Sequence, residues 1–290
     1  MTGPVIVVHG GAGGFGEELR ERAPEFREAL SVALRAGAAA LDTGGGDAVQ
    51  AVQAAVMSME DFPLFNAGHG AALCQDGSVE LSASAMRGSD QAAGAVTLVR
   101  RTRNPVAAAV AMLDEPEVLL AGERADAFAA TCGLAQRDPS EFVTERQRRR
   151  LAARLGGGGE TVGAVCLDAD GLLAAATSTG GLQGQRPGRV GDSPVIGAGT
   201  WADRRVAVSC TGKGEAFVRA GAARLLAALV AQGVELAAAA RDVLGAVAEC
   251  DGDGGLIAVD ARGEVVVPFS TDAMPRGVWR AGEDPVVEIP

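Results

Sequence analysis

The sequence has 290 residues and a formal net charge of -11, enough chain for one large domain or two small ones with a core that needs no staples. Apolar residues make up 48%, aromatics only 3%, and tyrosine is absent, so the core falls to closely packed Ala, Val and Leu. The acidic balance speaks against nucleic acid and anionic membrane as partners and leaves open a small-molecule substrate in a locally basic site.

Five cysteines, Cys74, Cys132, Cys166, Cys210 and Cys250, are scattered without a C-x-x-C pair, and His9 and His69 are the only histidines. That pattern predicts reduced thiols in a cytoplasmic protein and no multi-histidine zinc site. The start lacks a basic n-region, Val5 to Val8 is too short for a signal segment, and no apolar run approaches a membrane span.

In chain order, residues 5–8 read as a buried strand running into His9-Gly10-Gly11-Ala12-Gly13-Gly14. That loop is either a tight turn needing positive φ or a cradle of amides for an anion. It lacks the Gly-Lys-Ser/Thr and the intact G-x-G-x-x-G of nucleotide sites. An Ala/Leu helix pattern spans 25–41, and Asp47 is a fitting N-cap for a second helix with Ala48, Val49, Val52, Ala55, Val56 and Met59 on one face. Two helices after one strand do not make a simple βαβ crossover. The apolar loop 60–70 reads as a structural plug by composition, with inward carbonyls for a monovalent cation as the other reading. Gln75-Asp76-Gly77 predicts a hairpin between 71–74 and 78–82. A strand at 94–99, a helix at 107–113 after Pro105 and a helix at about 119–130 follow. Residues 137–154 hold Arg146, Arg148, Arg149, Arg150 and Arg154 without interleaved aromatics, which predicts a solvated linker rather than a nucleic-acid patch.

The second half begins where Gly156-Gly157-Gly158-Gly159-Glu160 meets Thr161-Val162-Gly163-Ala164-Val165. Glycine-only chain reads as a tether and the β-branched run as a buried strand. Strands are predicted at 161–167, 172–177 and 206–210, Ala-rich helices at 215–231 and 234–249, and a last hairpin from 256–260 and 264–268. Hairpins with helix pairs in both halves suit two antiparallel sheets face to face, each covered outside by helices.

Polar clusters interrupt this apolar half. A chain cut before Thr161 would give that residue a free α-amine beside its own hydroxyl, a nucleophile with a built-in base. Hairpin pairing brings Thr177-Ser178-Thr179-Gly180-Gly181 beside it, where Thr179 can orient the nucleophile or simply satisfy a strand end. Arg189 offers a planar fork for a carboxylate and Asp192 a counter-charge for an ammonium, unless the two are only a surface ion pair. Thr211-Gly212 ends a strand and opens a helix, where amides can face a developing oxyanion.

Six segments in order resemble the plant-type L-asparaginase/isoaspartyl peptidase family. They are His9-Gly10-Gly11-Ala12-Gly13, Phe65-Asn66-Ala67-Gly68-x-Gly70, Thr161-Val162-Gly163-Ala164-Val165, Thr177-Ser178-Thr179-Gly180-Gly181, Gly188-Arg189-Val190-Gly191-Asp192-Ser193-Pro194 and Thr211-Gly212-x-Gly214-Glu215. The resemblance implies an α+β N-terminal-nucleophile hydrolase with a four-layer αββα sandwich. It implies one domain over 1–290, cut between Glu160 and Thr161 into an α chain (1–160, ending in a flexible linker at about 140–160) and a β chain (161–290). By matching position, Thr161 is the nucleophile, assisted by Thr179. Arg189 binds the substrate α-carboxylate, Asp192 and Gly214 the α-amino group, and Thr211 and Gly212 the oxyanion, with Asn66 in support. The loop from Met59 to His69 is similar to a sodium loop using the main-chain carbonyls of Met59, Glu60, Phe62, Phe65, Ala67 and His69. No cofactor is implied for catalysis, and two αβ units are expected to pair as a homodimer.

The implied reaction cleaves the β-aspartyl amide of isoaspartyl dipeptides or asparagine and releases aspartate through a threonine ester. A glycosylasparaginase-type amidase and a non-catalytic small-ligand binding protein are the alternative readings. Two positions depart from the family pattern. Glu160 stands where glycine or aspartate usually precedes the nucleophile, so slower self-cleavage is expected. Ser82 stands in place of a usual aspartate, which alters the local hydrogen bonding.

Overall fold

A computed structural model describes residues 3–42, 47–153 and 161–290. β1 (Val5–His9) leads into α1 (Glu17–Glu21), α2 (Ala23–Asp42) and α3 (Ala48–Glu60). β2 (Leu81–Arg87), β3 (Ala92–Val99), α4 (Pro105–Ala111), β4 (Leu119–Ala121), α5 (Glu123–Thr131) and α6 (Glu145–Ala152) follow. After Thr161 come β5 (Val162–Leu167), β6 (Leu173–Thr179), β7 (Thr200–Ala202) and β8 (Val206–Gly212). α7 (Gly214–Ala220), α8 (Ala222–Ala231), α9 (Leu236–Glu249), β9 (Gly254–Asp260), β10 (Val265–Val266), β11 (Arg276–Arg280) and β12 (Val286–Glu288) complete the chain.

Among the described residues the strands form two sheets. One has eight strands in the order β12-β11-β1-β5-β6-β2-β3-β4, and the other has four in the order β10-β9-β8-β7. All pairs are antiparallel except β3 with β4. Alternation along the strands sorts the core. Ile6, Val8, Val162, Ala164, Ala174 and Ala176 pack with α2 and α3 residues such as Leu30, Leu34, Val52 and Val56. Their neighbours Val5, Val7, Val165, Leu173 and Ala175 pack instead with Ala207, Ile257 and Val259 of the smaller sheet. Val206, Val208, Cys210, Leu256 and Ala258 turn the other way, onto Phe217, Leu226, Ala240 and Val243. Strands buried on both sides require side chains as small as Ala and Val, which accounts for the scarcity of aromatics.

The expected helix N-cap forms: the Asp47 side chain accepts from the Gln50 amide at 2.9 Å. Four expectations are corrected. Residues 119–121 are a strand on β3, and helix begins only after Gly122 turns at φ 61; a short apolar run carries no period that separates strand from helix. The helix predicted over 215–231 is divided by Gly221 at φ 58, in the left-handed region that glycine tolerates. The turn at 75–77 forms, with the Cys74 amide on the Ser78 carbonyl at 2.8 Å. Its flanks are not paired strands, because Cys74 bridges to Gln185 instead and the strand starts at Leu81.

The supposed linker is structured over 140–153. Asp138 and Glu141 form a capping box, Phe142 is buried, and Thr144 caps α6. Gln147 is buried with its Nε2 donating to the Gly70 carbonyl at 2.6 Å, while Arg146 reaches the Leu64 carbonyl and Glu18. A basic run that hydrogen-bonds the 60–70 loop is a brace, not a spacer. Residues 154–160, Glu160 included, lie outside the described residues, as do Thr43 to Gly46. Among the described residues no helix is long and apolar enough to cross a membrane.

Candidate active site

The alternation that sorts the core also builds the site. Residues 161 and 163 share a strand face with Val165, residues 177 and 179 with Ala175, residue 9 with Val7, and residues 209 and 211 with Ala207. Those faces meet between the sheets. Apolar side chains fill one end of that space, and His9, Thr161, Thr177, Thr179, Ser209 and Thr211 gather at the other, all buried.

β5 and β6 pair with Val162 opposite Ser178, which sets Thr161 beside Thr179 as the sequence predicts. The Thr161 hydroxyl donates to Thr179 Oγ1 at 3.1 Å and lies 3.4 Å from Ser193 Oγ. Thr179 Oγ1 also accepts the Gly181 amide at 3.0 Å. Asn66 straps this turn from behind. Its Nδ2 donates to the Gly181 carbonyl at 2.6 Å, its Oδ1 accepts from the Ala72 amide, and its carbonyl accepts from Gly180. Ser82, opposite Thr179 on β2, bonds Thr97 Oγ1 at 2.9 Å, so the departure at 82 leaves no loose polar group there.

Behind the threonine runs a chain of buried hydroxyls. His9 Nε2 meets Ser209 Oγ at 2.9 Å, Ser209 meets Thr177 Oγ1 at 2.7 Å, and Thr200 donates to Thr177 at 2.6 Å. Ser84 lies 2.7 Å from Thr200 and 2.5 Å from the Ser193 carbonyl, which closes the circuit on the residue beside Thr161. Burial drives the His9 ring down to about 3, against a smaller opposing pull from the Thr161 backbone, so the imidazole is neutral. Gly163 has no alternative here: a Cβ would sit 2.5 Å from His9 Nε2 and collide with Ser209.

Arg189, Asp192 and Gly214 converge. A Cβ on Gly214 would lie 2.8 Å from Asp192 Oδ1 and 3.0 Å from an Arg189 terminal nitrogen, so glycine keeps that space open. Arg189 pairs not with Asp192 but with Glu215, in a two-pronged contact at 2.9 Å on each side. Asp192 is buried, its Oδ2 has no partner among the described residues, and burial raises its carboxyl to about 7 despite the nearby guanidinium. Thr211 Oγ1 accepts the Ala12 amide at 3.1 Å. Gly212 holds φ 144, and a Cβ there would meet Gly254 Cα at 2.5 Å. Thr161, Thr179, Asn66, Arg189, Asp192, Gly214, Thr211 and Gly212 are thus linked through short contacts and adjacent residues. Sequence reading missed Ser193, Glu215 and the His9-to-Ser84 circuit; Ser193 and Glu215 stood inside the motifs it quoted.

Asn66 belongs to the 59–69 loop. Phe65 is buried edge-on to Phe26, with ring centres 5.6 Å apart, so the loop packs down onto α2. The Met59, Phe62 and Ala67 carbonyls accept amides within the loop. The Glu60 and Phe65 carbonyls press on Gly68 and Gly70, where any Cβ would strike them. Among the described residues no cluster of three His, Cys, Asp or Glu side chains is arranged for a metal.

Comparison with known proteins points one way. A family model described as asparaginase matches residues 2–160 and 152–289. The isoaspartyl peptidase of Escherichia coli (strain K12) is 44% identical, over 100% of this chain and 97% of its own length. The isoaspartyl peptidase/L-asparaginase of Bos taurus is 41% identical and that of Homo sapiens 39%, each over 97% of this chain and 94% of the relative.

Proposed function

The chain belongs to the asparaginase family, and from that premise we propose that it is a self-processing hydrolase of β-aspartyl amide bonds, acting on isoaspartyl peptides and L-asparagine. The observation that supports this most is the buried Thr161 hydroxyl, held by Thr179 and 3.4 Å from the hydroxyl of Ser193, the residue next to Asp192.

Processing breaks the Glu160–Thr161 peptide bond with one water, leaving a carboxylate on the α chain and an α-amine on Thr161. That amine has an ordinary pKa of about 8, so a useful fraction is neutral at working pH. It takes the proton of the Thr161 hydroxyl as Oγ1 attacks the β-carbonyl. Arg189 and Asp192 hold the aspartyl α-carboxylate and α-ammonium, with Gly214 leaving room between them. The oxyanion rests on the Thr211 hydroxyl and the Gly212 amide. Collapse expels ammonia or an amine, which carries off the proton from the Thr161 ammonium. Water then attacks the ester, again with the amine as base, and L-aspartate leaves. Base and nucleophile come from one residue, so the reaction draws on no cofactor.

The fold that accompanies this chemistry is a four-layer αββα sandwich. It is supported by the succession of three apolar clusters: helices with the large sheet, sheet with sheet, and the small sheet with helices. The 59–69 loop is read as a sodium loop using the carbonyls of Met59, Glu60, Phe62, Phe65, Ala67 and His69. The crowding of the Glu60 and Phe65 carbonyls onto Gly68 and Gly70 supports it. Such an ion would fix the loop that carries Asn66, and replacing sodium with a bulky organic cation should then lower the thermal midpoint. Pairing of two αβ units into a dimer rests on the family resemblance, and sedimentation tests it.

Intact-mass measurement of the purified protein is the decisive experiment. Two chains, the second starting at Thr161, together with release of aspartate from β-aspartyl-leucine and asparagine, are expected. A chain that stays whole after long incubation, or a Thr161→Ala variant with undiminished turnover, overturns the reading.

A further inference from the structure

An opening borders the turn 211–215. Gly214 faces Arg189 and Asp192, and Gly212 and Lys213 line a cavity of about 500 Å³ with Ala12, Leu182, Asp253 and Asp272. One turn therefore carries Gly214 toward the proposed substrate-binding pair and Gly212, a proposed oxyanion donor, into the wall of this cavity. The Ala12 amide on Thr211 Oγ1 ties the wall of this cavity to that turn. Lys213 is the only lysine of the sequence, and among the residues that line the cavity it is the only cation. Its exposed ammonium spends one of three donors on the Asp251 carbonyl, at 2.5 Å. Asp253 and Asp272 repel an anion entering there, which leaves Lys213 as its one oppositely charged partner among the lining residues.

We propose that this cavity receives the leaving amino acid of an isoaspartyl dipeptide, and that Lys213 selects leaving groups carrying a free α-carboxylate. The inference rests on the hydrolase reading above. Arg189 and Asp192 fix one end of the aspartyl group, so whatever is bonded to the scissile carbonyl must extend past the oxyanion donors, toward Gly212 and Lys213. Ammonia, the leaving group of asparagine, is too small to use that contact. An amino acid offers its carboxylate two bonds from the scissile nitrogen, where a lysine can meet it.

The test compares kcat/KM for β-aspartyl-leucine, its C-terminal amide β-aspartyl-leucinamide, and asparagine. Wild type should prefer the acid over the amide by about fivefold or more, the range of a partly exposed charged contact. Lys213→Met should bring that ratio close to one, and Lys213→Arg should keep it, with asparagine turnover as the internal reference for a folded, processed enzyme. Equal rates for acid and amide in wild type overturn the inference, as does a Lys213→Met enzyme that retains the preference. The wild-type ratio needs no variant, so a poorly folding Lys213→Met leaves the test standing. A processed wild type that turns over none of the three substrates overturns the hydrolase reading and this inference with it.

Discussion

Glu60 and Asp192 are both buried carboxyls, each with one oxygen lacking a partner among the described residues, and burial raises both, to about 8 and about 7. Their settings differ. Glu60 Oε1 accepts the Ser178 hydroxyl at 2.6 Å and the Val106 amide at 3.0 Å, so it knits α3, α4 and the helix-facing side of β6. Asp192 lies beside a guanidinium and beside Gly214, where a missing Cβ keeps room. The same group thus serves as a rivet in one place and, on the proposed function, as an open counter-charge in the other. What separates them is the partner: hydrogen bonds from the fold in the first case, unfilled space in the second.

The comparison is broken or sharpened by substitution. Asp192→Asn should cost about 10²- to 10³-fold in kcat/KM, mostly through KM, as expected for a lost partner of a desolvated ammonium. Its thermal midpoint should not fall; a large fall would make Asp192 a second rivet. Glu60→Ala should destabilise the protein by about 2–4 kcal/mol, read from denaturant unfolding, because Ser178 and Val106 lose an acceptor and a cavity opens. Glu60→Gln keeps shape and removes ionisation. A carboxyl whose folded value is raised adds stability below its ordinary value of 4.5 and loses it as pH climbs through about 8. Measured against wild type, Glu60→Gln should therefore gain stability steadily between those pH values, with turnover little changed. Ser178→Ala should cost about 1 kcal/mol, one modest buried hydrogen bond. Turnover lost in Glu60→Gln at unchanged stability would place Glu60 with the functional groups and reverse the comparison.

Much of this was legible in the chain. β1, α2, α3 and the β5–β6 hairpin announce themselves through β-branched runs, helical periodicity and Asp47. The pairing that sets Thr179 beside Thr161 followed from hairpin geometry alone. Glu215 did not, because its grip on Arg189 joins residues 26 apart in sequence and no local pattern encodes it. The Ser209, Thr177, Thr200 and Ser84 circuit was hidden for a similar reason: a strand hydroxyl looks the same whether it faces water or another sheet. α6 was obscured by its arginines, since composition reports the exposed face and is silent about one buried glutamine.

The order of the large sheet carries a last consequence. β1 lies between β11 and β5, and β6 lies between β5 and β2, so strands from before residue 160 alternate in blocks with strands from after it. Severing the chain there would leave two polypeptides laced like the fingers of clasped hands, neither holding the whole of the large sheet. They should travel as one particle on a native column and part only in denaturant, and neither half expressed alone should fold.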